Sequence, residues 1–352
     1  MREHEVTVPS AFDVAATLCV PEDASWRRPA PAVALIAGSG ADTRDGDLQP
    51  GWPAGTEGLP APGTMRRIAH HLAGHGVATL RWDRRGFGAS GGDADQADYD
   101  TDLVDAIACV GWLRDRPEVD GARVAVAGHS AGALTACRVC RDVPGVAAAA
   151  LLGALASPIE DMLRWNLGRV ARYWDDFTAD QQAWLTTNLP AQLVRGEGVE
   201  RYIDAATAGQ ETVHLEGHGV TLDLRTARTR QDLATSYLAE FRHVRCPALV
   251  LHGGDDLNVP VQDALASYRA LRHAGNDEVE LCIVPGLQHY FNPVSPDPAR
   301  RVWERVSLEA LRRPMDRRAL EALSTWALRV LGRALRPPGD SAGTAGGPGA
   351  TG

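Results

Sequence analysis

Ten residues constrain the fold of this chain more than any others: Arg123-Val124-Ala125-Val126-Ala127-Gly128-His129-Ser130-Ala131-Gly132. An apolar run that reads as a fully buried strand ends at a glycine, and a serine follows within two residues. A helix-like segment, Ala133 to Arg141, comes straight after. Gly128-His129-Ser130-Ala131-Gly132 matches G-x-S-x-G, the strand–turn–helix elbow that lifts a nucleophilic hydroxyl clear of a sheet. Glycines stand two positions either side of the serine because the turn is too tight for side chains there. The strained backbone presents the hydroxyl at a helix N-terminus.

Composition narrows the chemistry. A chain of 352 residues is one large domain with an insertion, or two domains, and 44% hydrophobic residues are ample for a core. A net charge of -9 argues against a nucleic-acid-binding surface, which needs a basic excess. The sequence holds no lysine, so all 36 basic residues are arginine. That removes Schiff-base chemistry, a P-loop lysine and a Ser–Lys dyad together, and a nucleophilic serine here would take a histidine as its base. Cys137 and Cys140 form a C-x-x-C without a second pair to complete a zinc site, and packing inside a helix is the reading preferred. The first residues carry no apolar signal core and no stretch approaches a membrane span, which suits a soluble, reducing, cytoplasmic setting.

Along the chain, Glu5–Pro9 and Val14–Pro21 read as two strands, Ala32–Ala37 as a buried strand ending at Gly38-Ser39-Gly40, and Val77–Trp82 as another. Helical spacing covers Thr64–Ala73 and Asp100–Asp115, and Gly145–Leu155 reads as a further buried strand. Strand and helix alternate from Ala32 onward, so the fold class expected is α/β, a mostly parallel sheet with helices on both faces. The alternation stops at Ser157-Pro158. From Ile159 to about Val244 the signal is helical and aromatic-rich, and the α/β pattern resumes with Pro247–Gly253, Gln262–His273, Val279–Val284 and Arg317–Leu335. The expected organisation is a core of residues 1–158 and 246–336, a helical cap of 159–245, and a disordered tail of 337–352. His214-Leu215-Glu216-Gly217-His218 is neither H-E-x-x-H nor H-x-x-E-H, and no metal is expected there.

A serine needs a base, and the base needs a third group to hold it. Sites in parallel sheets lie at the carboxyl ends of the strands. Among eleven histidines, His289 qualifies because it falls just after the Val279–Val284 strand. His252 sits within a strand and reads as packed, and His129, adjacent to the serine, is poorly placed to serve it. For the carboxylate, Gly253-Gly254-Asp255-Asp256 closes a strand and offers two candidates.

Four stretches together make a resemblance specific. Gly38-Ser39-Gly40 and the following Asp42 to Gly46 are similar to a G-S-G-P-x-D-R-D-G loop, with Ala41 for its proline and Thr43 for its first aspartate. Trp82-Asp83-Arg84-Arg85-Gly86-Phe87-Gly88-Ala89-Ser90 is similar to a Y-D-x-R-G-x-G-x-S turn. The elbow is the third stretch, and Gly253-x-x-Asp256-x-x-Val259-Pro260 with Pro285-Gly286-Leu287-Gln288-His289 the fourth. The chain thus resembles the α/β-hydrolase superfamily, nearest to bacterial serine aminopeptidase-like esterases, in the order serine, acid, histidine.

The resemblance implies Ser130 as nucleophile, His289 as base and Asp256 as the acid, leaving Asp255 variable. It also implies an oxyanion hole from the N–H groups of Ser39 and Ala131, and no cofactor. Asp83 is expected to hold its own turn rather than to act as an acid. The expected function is hydrolysis of a carboxylic ester or thioester through an acyl-enzyme. A Trp- and Tyr-rich cap, with Gly51-Trp52-Pro53 as another wall, implies a small-molecule acyl substrate that is bulky and partly apolar. Nothing selects an oligomeric state. Two alternatives stand beside this reading: an acyltransferase or cyclase with a non-water acceptor, and a non-catalytic binding protein on the same fold.

Overall fold

The computed structural model describes residues 1–40, 42–47, 62–94 and 97–332. The further pocket wall expected at Gly51-Trp52-Pro53, position Ala41 and the tail 337–352 lie outside the described residues.

Eight strands form one sheet: β1 (Arg2–Pro9), β2 (Asp13–Val20), β3 (Ala30–Ile36), β4 (Ala78–Trp82), β5 (Val119–His129), β6 (Ala149–Leu152), and later β9 (Ala248–Gly253) and β10 (Val279–Val284). Their spatial order is β1-β2-β4-β3-β5-β6-β9-β10. Strand β2 runs antiparallel to β1 and β4, and the remaining pairs are parallel. The fold is of the α/β class that the alternation predicts, a mostly parallel sheet with helices on both faces.

Both faces of the sheet are covered, so its central strands are continuously apolar rather than alternating. The period of two decides which layer each residue joins. In β5, Val124 and Val126 pack with helices Tyr99–Arg114, Gly132–Asp142 and Val261–His273, whereas Ala125 and Ala127 face helices Thr64–Gly74 and Arg317–Gly332.

The chain leaves β3 for β4 on one side and returns to β5 on the other. This reversal opens a crevice at the carboxyl ends of β3 and β5, where such sheets bind their ligands. Gly38-Ser39 and Ser130 lie directly after those two strand ends.

Several expectations need correction. The strand expected over Gly145–Leu155 pairs only at Ala149–Leu152, closed off by Gly145 and Gly153, both at positive φ. The insertion between β6 and β9 is not purely helical. Four helices (Ile159–Arg172, Ala179–Asn188, Pro190–Glu197, Val199–Thr207) lead into a hairpin of β7 (Thr212–Gly217) and β8 (Val220–Arg225), followed by helices Ala227–Leu233 and Tyr237–Glu240. Its two-residue loop, His218-Gly219, has φ of 51° and 76°, as a type I′ turn requires. His214 accordingly pairs with Asp223 across the hairpin at 2.9 Å.

A helix the sequence pattern does not announce, Pro298–Val306, begins with Asp297 accepting from the Arg300 N–H at 2.7 Å. Its Val302 and Val306 pack with Leu257 of the core and with Val170, Leu185 and Leu193 of the insertion. This shared cluster seats the insertion on the sheet's carboxyl edge by removing apolar surface from water.

Candidate active site

Three close approaches build the elbow. A side chain at Gly128 would overlap the carbonyl oxygen of Gly132, and a Cβ on Gly132 would lie 2.5 Å from the carbonyl oxygens of Ile36 and Ala37. A Cβ on Gly38 would lie 2.7 Å from that of Ser130. Glycine at these positions lets β3, the turn and the helix pack backbone against backbone. Ser130 itself is held at φ 55°, a conformation unusual outside glycine and costing of order 1–3 kcal/mol. Its N–H donates to the Leu152 carbonyl at 2.8 Å, which ties the strained turn to β6.

The histidine comes from the loop after β10 and the carboxylate from the turn after β9. His289 Nδ1 lies 2.7 Å from Asp256 Oδ2, and both residues are buried. The other carboxylate oxygen of Asp256 accepts the backbone N–H groups of Asn258 at 2.7 Å and Val259 at 2.9 Å. Burial alone would raise the Asp256 pKa. The His289 ring, His252 and the Val259 N–H outweigh that and hold the carboxyl below the ordinary range. Its neighbour Asp255 is engaged elsewhere, accepting from Arg301 and from the Gly286 N–H, so it steadies the His289 loop.

His129 has a structural part that its position in the motif conceals. Its Nε2 donates to the His289 backbone carbonyl at 2.9 Å, and the two rings sit 4.6 Å apart. Burial, then repulsion from His289, pushes its pKa down to about 3, so the ring is neutral. His252, packed in β9 as expected, places Nε2 at 3.2 Å from the Val259 carbonyl and 3.5 Å from Asp256.

Ser130, His289, Ser39 and Ala131 line one cavity of about 180 Å³. Among the described residues, no hydrogen bond joins Ser130 to His289, and none uses the N–H of Ser39 or Ala131. Catalytic hydrogen bonds of unliganded sites are commonly long and close on the substrate. The opposite wall comes from the insertion: Ile159, Met162, Asn166, Asp232 and Tyr237. Tyr99 spans the two sides, donating to Asp232 at 2.8 Å and lying 2.6 Å from the Tyr237 hydroxyl.

Asp83, expected to be structural, accepts from the Arg44 N–H at 2.7 Å and the Ala89 N–H at 2.8 Å, and pairs with the Arg44 guanidinium. Sequence reasoning missed the parts played by Tyr99, Asn166, Asp232, Asn258 and Tyr290 in the cavity. For all but Asn166, which lies mid-helix, the only signal was proximity to an element end, which is shared by many residues.

The sheet order, the elbow and the shielded acid–histidine pair together define an enzyme of the α/β-hydrolase class. A family model described as "Serine aminopeptidase, S33" matches residues 62–292, and the chain belongs to that family.

Among solved structures, an esterase of Pyrococcus furiosus is 18% identical with a TM-score of 0.52, covering 93% of this chain and 91% of its own. The α/β hydrolase GrgF from Penicillium sp. sh18 is 16% identical with a TM-score of 0.56, covering 95% and 100%. Est1E from Butyrivibrio proteoclasticus, solved with ferulic acid, is 18% identical with a TM-score of 0.51, covering 88% and 98%. At these identities the likeness is one of fold. No match was found among curated proteins. No helix of the described residues is long and apolar enough to cross a membrane.

Proposed function

We propose that this serine hydrolase cleaves a carboxylic ester or thioester of a small molecule through an acyl-enzyme on Ser130. The observation that carries the reading is the buried 2.7 Å contact of His289 with Asp256, opening onto the cavity that holds the Ser130 elbow. His289 takes the Ser130 proton as the hydroxyl oxygen attacks the acyl carbon, then passes it to the leaving alcohol or thiol. Asp256 fixes the ring with Nδ1 protonated and stabilises the imidazolium. The N–H groups of Ser39 and Ala131, without partners among the described residues, receive the oxyanion. Water, deprotonated by the same histidine, then attacks the acyl carbon and restores the serine.

Residues 159–245 act as a lid that shapes the acyl pocket, with residues 1–158 and 246–336 as the catalytic core. The esterase of Pyrococcus furiosus among the structural neighbours favours an ester over an amide. Six unpaired cysteines suit a reducing compartment such as the cytoplasm.

The test is a panel of p-nitrophenyl esters, acetate to decanoate, on the wild type and Ser130→Ala. Removing the nucleophile should lower kcat by at least about 10⁴-fold. Turnover that persists in Ser130→Ala would overturn the assignment. Absence of both turnover and fluorophosphonate labelling at Ser130 would leave a binding protein on a hydrolase fold. Mass spectrometry of the product separates hydrolysis, which adds a water, from acyl transfer or cyclisation.

A further inference from the structure

Behind one end of the cavity lies charge that the chemistry above leaves idle. Asn166, on the first helix of the insertion, and Asn258, after the Asp256 turn, both line the wall. Arg305, on helix Pro298–Val306, reaches them from behind: Nε donates to Asn258 Oδ1 at 2.6 Å, and Nη2 donates to Asn166 Oδ1. Both partners are neutral amides. They orient the guanidinium without neutralising it, and among the described residues Nη1 donates to nothing. Burial pushes the Arg305 pKa down to about 10, with Asp256 and Tyr290 opposing that fall, so the group stays cationic at neutral pH.

A second observation points the same way. Arg169 lies one turn beyond Asn166, with its guanidinium 3.4 Å from the Trp165 ring centroid. Its Nε is buried with no hydrogen-bond partner among the described residues, and it is near enough to Arg305 to repel it. Elsewhere on this side of the molecule arginines find carboxylates: Arg300 and Arg313 pair with Glu304, and Arg301 with Asp255. Neither Arg305 nor Arg169 forms an ion pair among the described residues, and for Arg305 the nearest support is the field of Asp256, already held by His289. A buried cation with no close ion-pair partner is costly, and an arriving anion lowers that cost.

We propose that this end of the cavity receives a carboxylate carried by the substrate, taken by the amide N–H groups of Asn166 and Asn258 and drawn by the Arg305 charge behind them, with Arg169 in support. The substrate class is then an ester with an acidic acyl or alcohol part, such as a half-ester of a dicarboxylic acid. Amides whose oxygens accept from a guanidinium are polarised into stronger N–H donors toward a carboxylate. The inference rests on the hydrolase reading for its substrate, though the anion site itself does not depend on turnover.

The experiment compares monomethyl esters of C4–C8 dicarboxylic acids with methyl esters of monocarboxylic acids of equal length. Wild type should favour the best half-ester by about ten- to a hundredfold in kcat/KM, the range of a charge-assisted hydrogen bond. Arg305→Gln should erase that ratio while neutral esters change only a few-fold, and Arg305→Lys should restore part of it. Absence of a preference in wild type would overturn the proposal. So would a parallel loss on both series in Arg305→Gln, since that marks a mere strut between lid and core.

Calorimetric binding of the same compounds to Ser130→Ala tests the site without chemistry: preference for the half-ester supports it, and equal binding sinks it. Fluorophosphonate labelling of Ser130 in wild type keeps the two claims apart. Labelling without carboxylate preference removes only this inference. Carboxylate preference without labelling removes only the hydrolase reading.

Discussion

The two walls of the cavity are made differently. On the sheet side, Gly38, Gly128 and Gly132 bring backbone against backbone with no room for a methyl group. On the insertion side, Met162, Asn166, Asp232 and Tyr237 meet the cavity through their side chains. Bond-making needs groups fixed to a fraction of an ångström, and close-packed backbone gives that rigidity. Recognition needs variety in shape and charge, and side chains on an insertion supply it without disturbing the elbow. One wall is therefore written in a short local motif, and the other is scattered over distant segments.

Substitution on the sheet side should be the most damaging. Gly128→Ala forces its methyl into the Gly132 carbonyl, so turnover should fall more than about 10³-fold and Tm by roughly 5–10 °C. A near-silent Gly128→Ala would break the contrast at its strongest point. Next in size, Asp256→Asn should lower kcat by about 10³–10⁴-fold while far-UV circular dichroism stays native, because the ring loses its tautomer and its counter-charge.

Acid should act through the sheet side as well. His129 has a folded pKa of about 3, below the value near 6.5 of an unfolded chain. Below pH 6.5 the unfolded chain binds a proton that the folded protein refuses. The stability contributed is therefore complete above about pH 6.5 and is lost as pH falls toward 3. Urea titrations at pH 7 and pH 4 should show His129→Gln losing less stability than wild type, by on the order of 3 kcal/mol. An identical pH response in both proteins would mean that His129 is not held neutral.

The smallest effects belong to the insertion. Met162→Ala and Tyr237→Phe should alter KM in a substrate-dependent way, by about two- to tenfold, with kcat nearly unchanged and Tm within about 2 °C. A uniform drop in kcat across the ester panel would instead place the insertion among the groups that position the nucleophile.

How much could be read beforehand follows the same division. Strands β3, β5 and β9 announce themselves as short apolar runs ending at glycine, and Ser130, Asp256 and His289 stand at strand ends, where their positions carry meaning. The β7–β8 hairpin was legible in principle. Val213 and Leu215 are buried and alternate with exposed His214 and Glu216, but the surrounding helical signal masked a period of two. Helix Pro298–Val306 was marked by an Asp-Pro start and by Val302 and Val306 four apart, yet it is too short for periodicity to stand out. Arg305 had no mark at all. Its significance comes from amides 47 and 139 residues away, and only the folded chain brings them together.

The hydrogen bond from His129 to the His289 carbonyl joins residues 160 positions apart. During synthesis the elbow therefore leaves the ribosome well before the loop that would activate it. At 5–20 residues per second, that delay is roughly 8–30 s. For this interval the elbow lacks the His289 loop that packs against it. If Ser130 works with His289 as proposed, the nascent chain is chemically silent until the last third of the polypeptide has emerged.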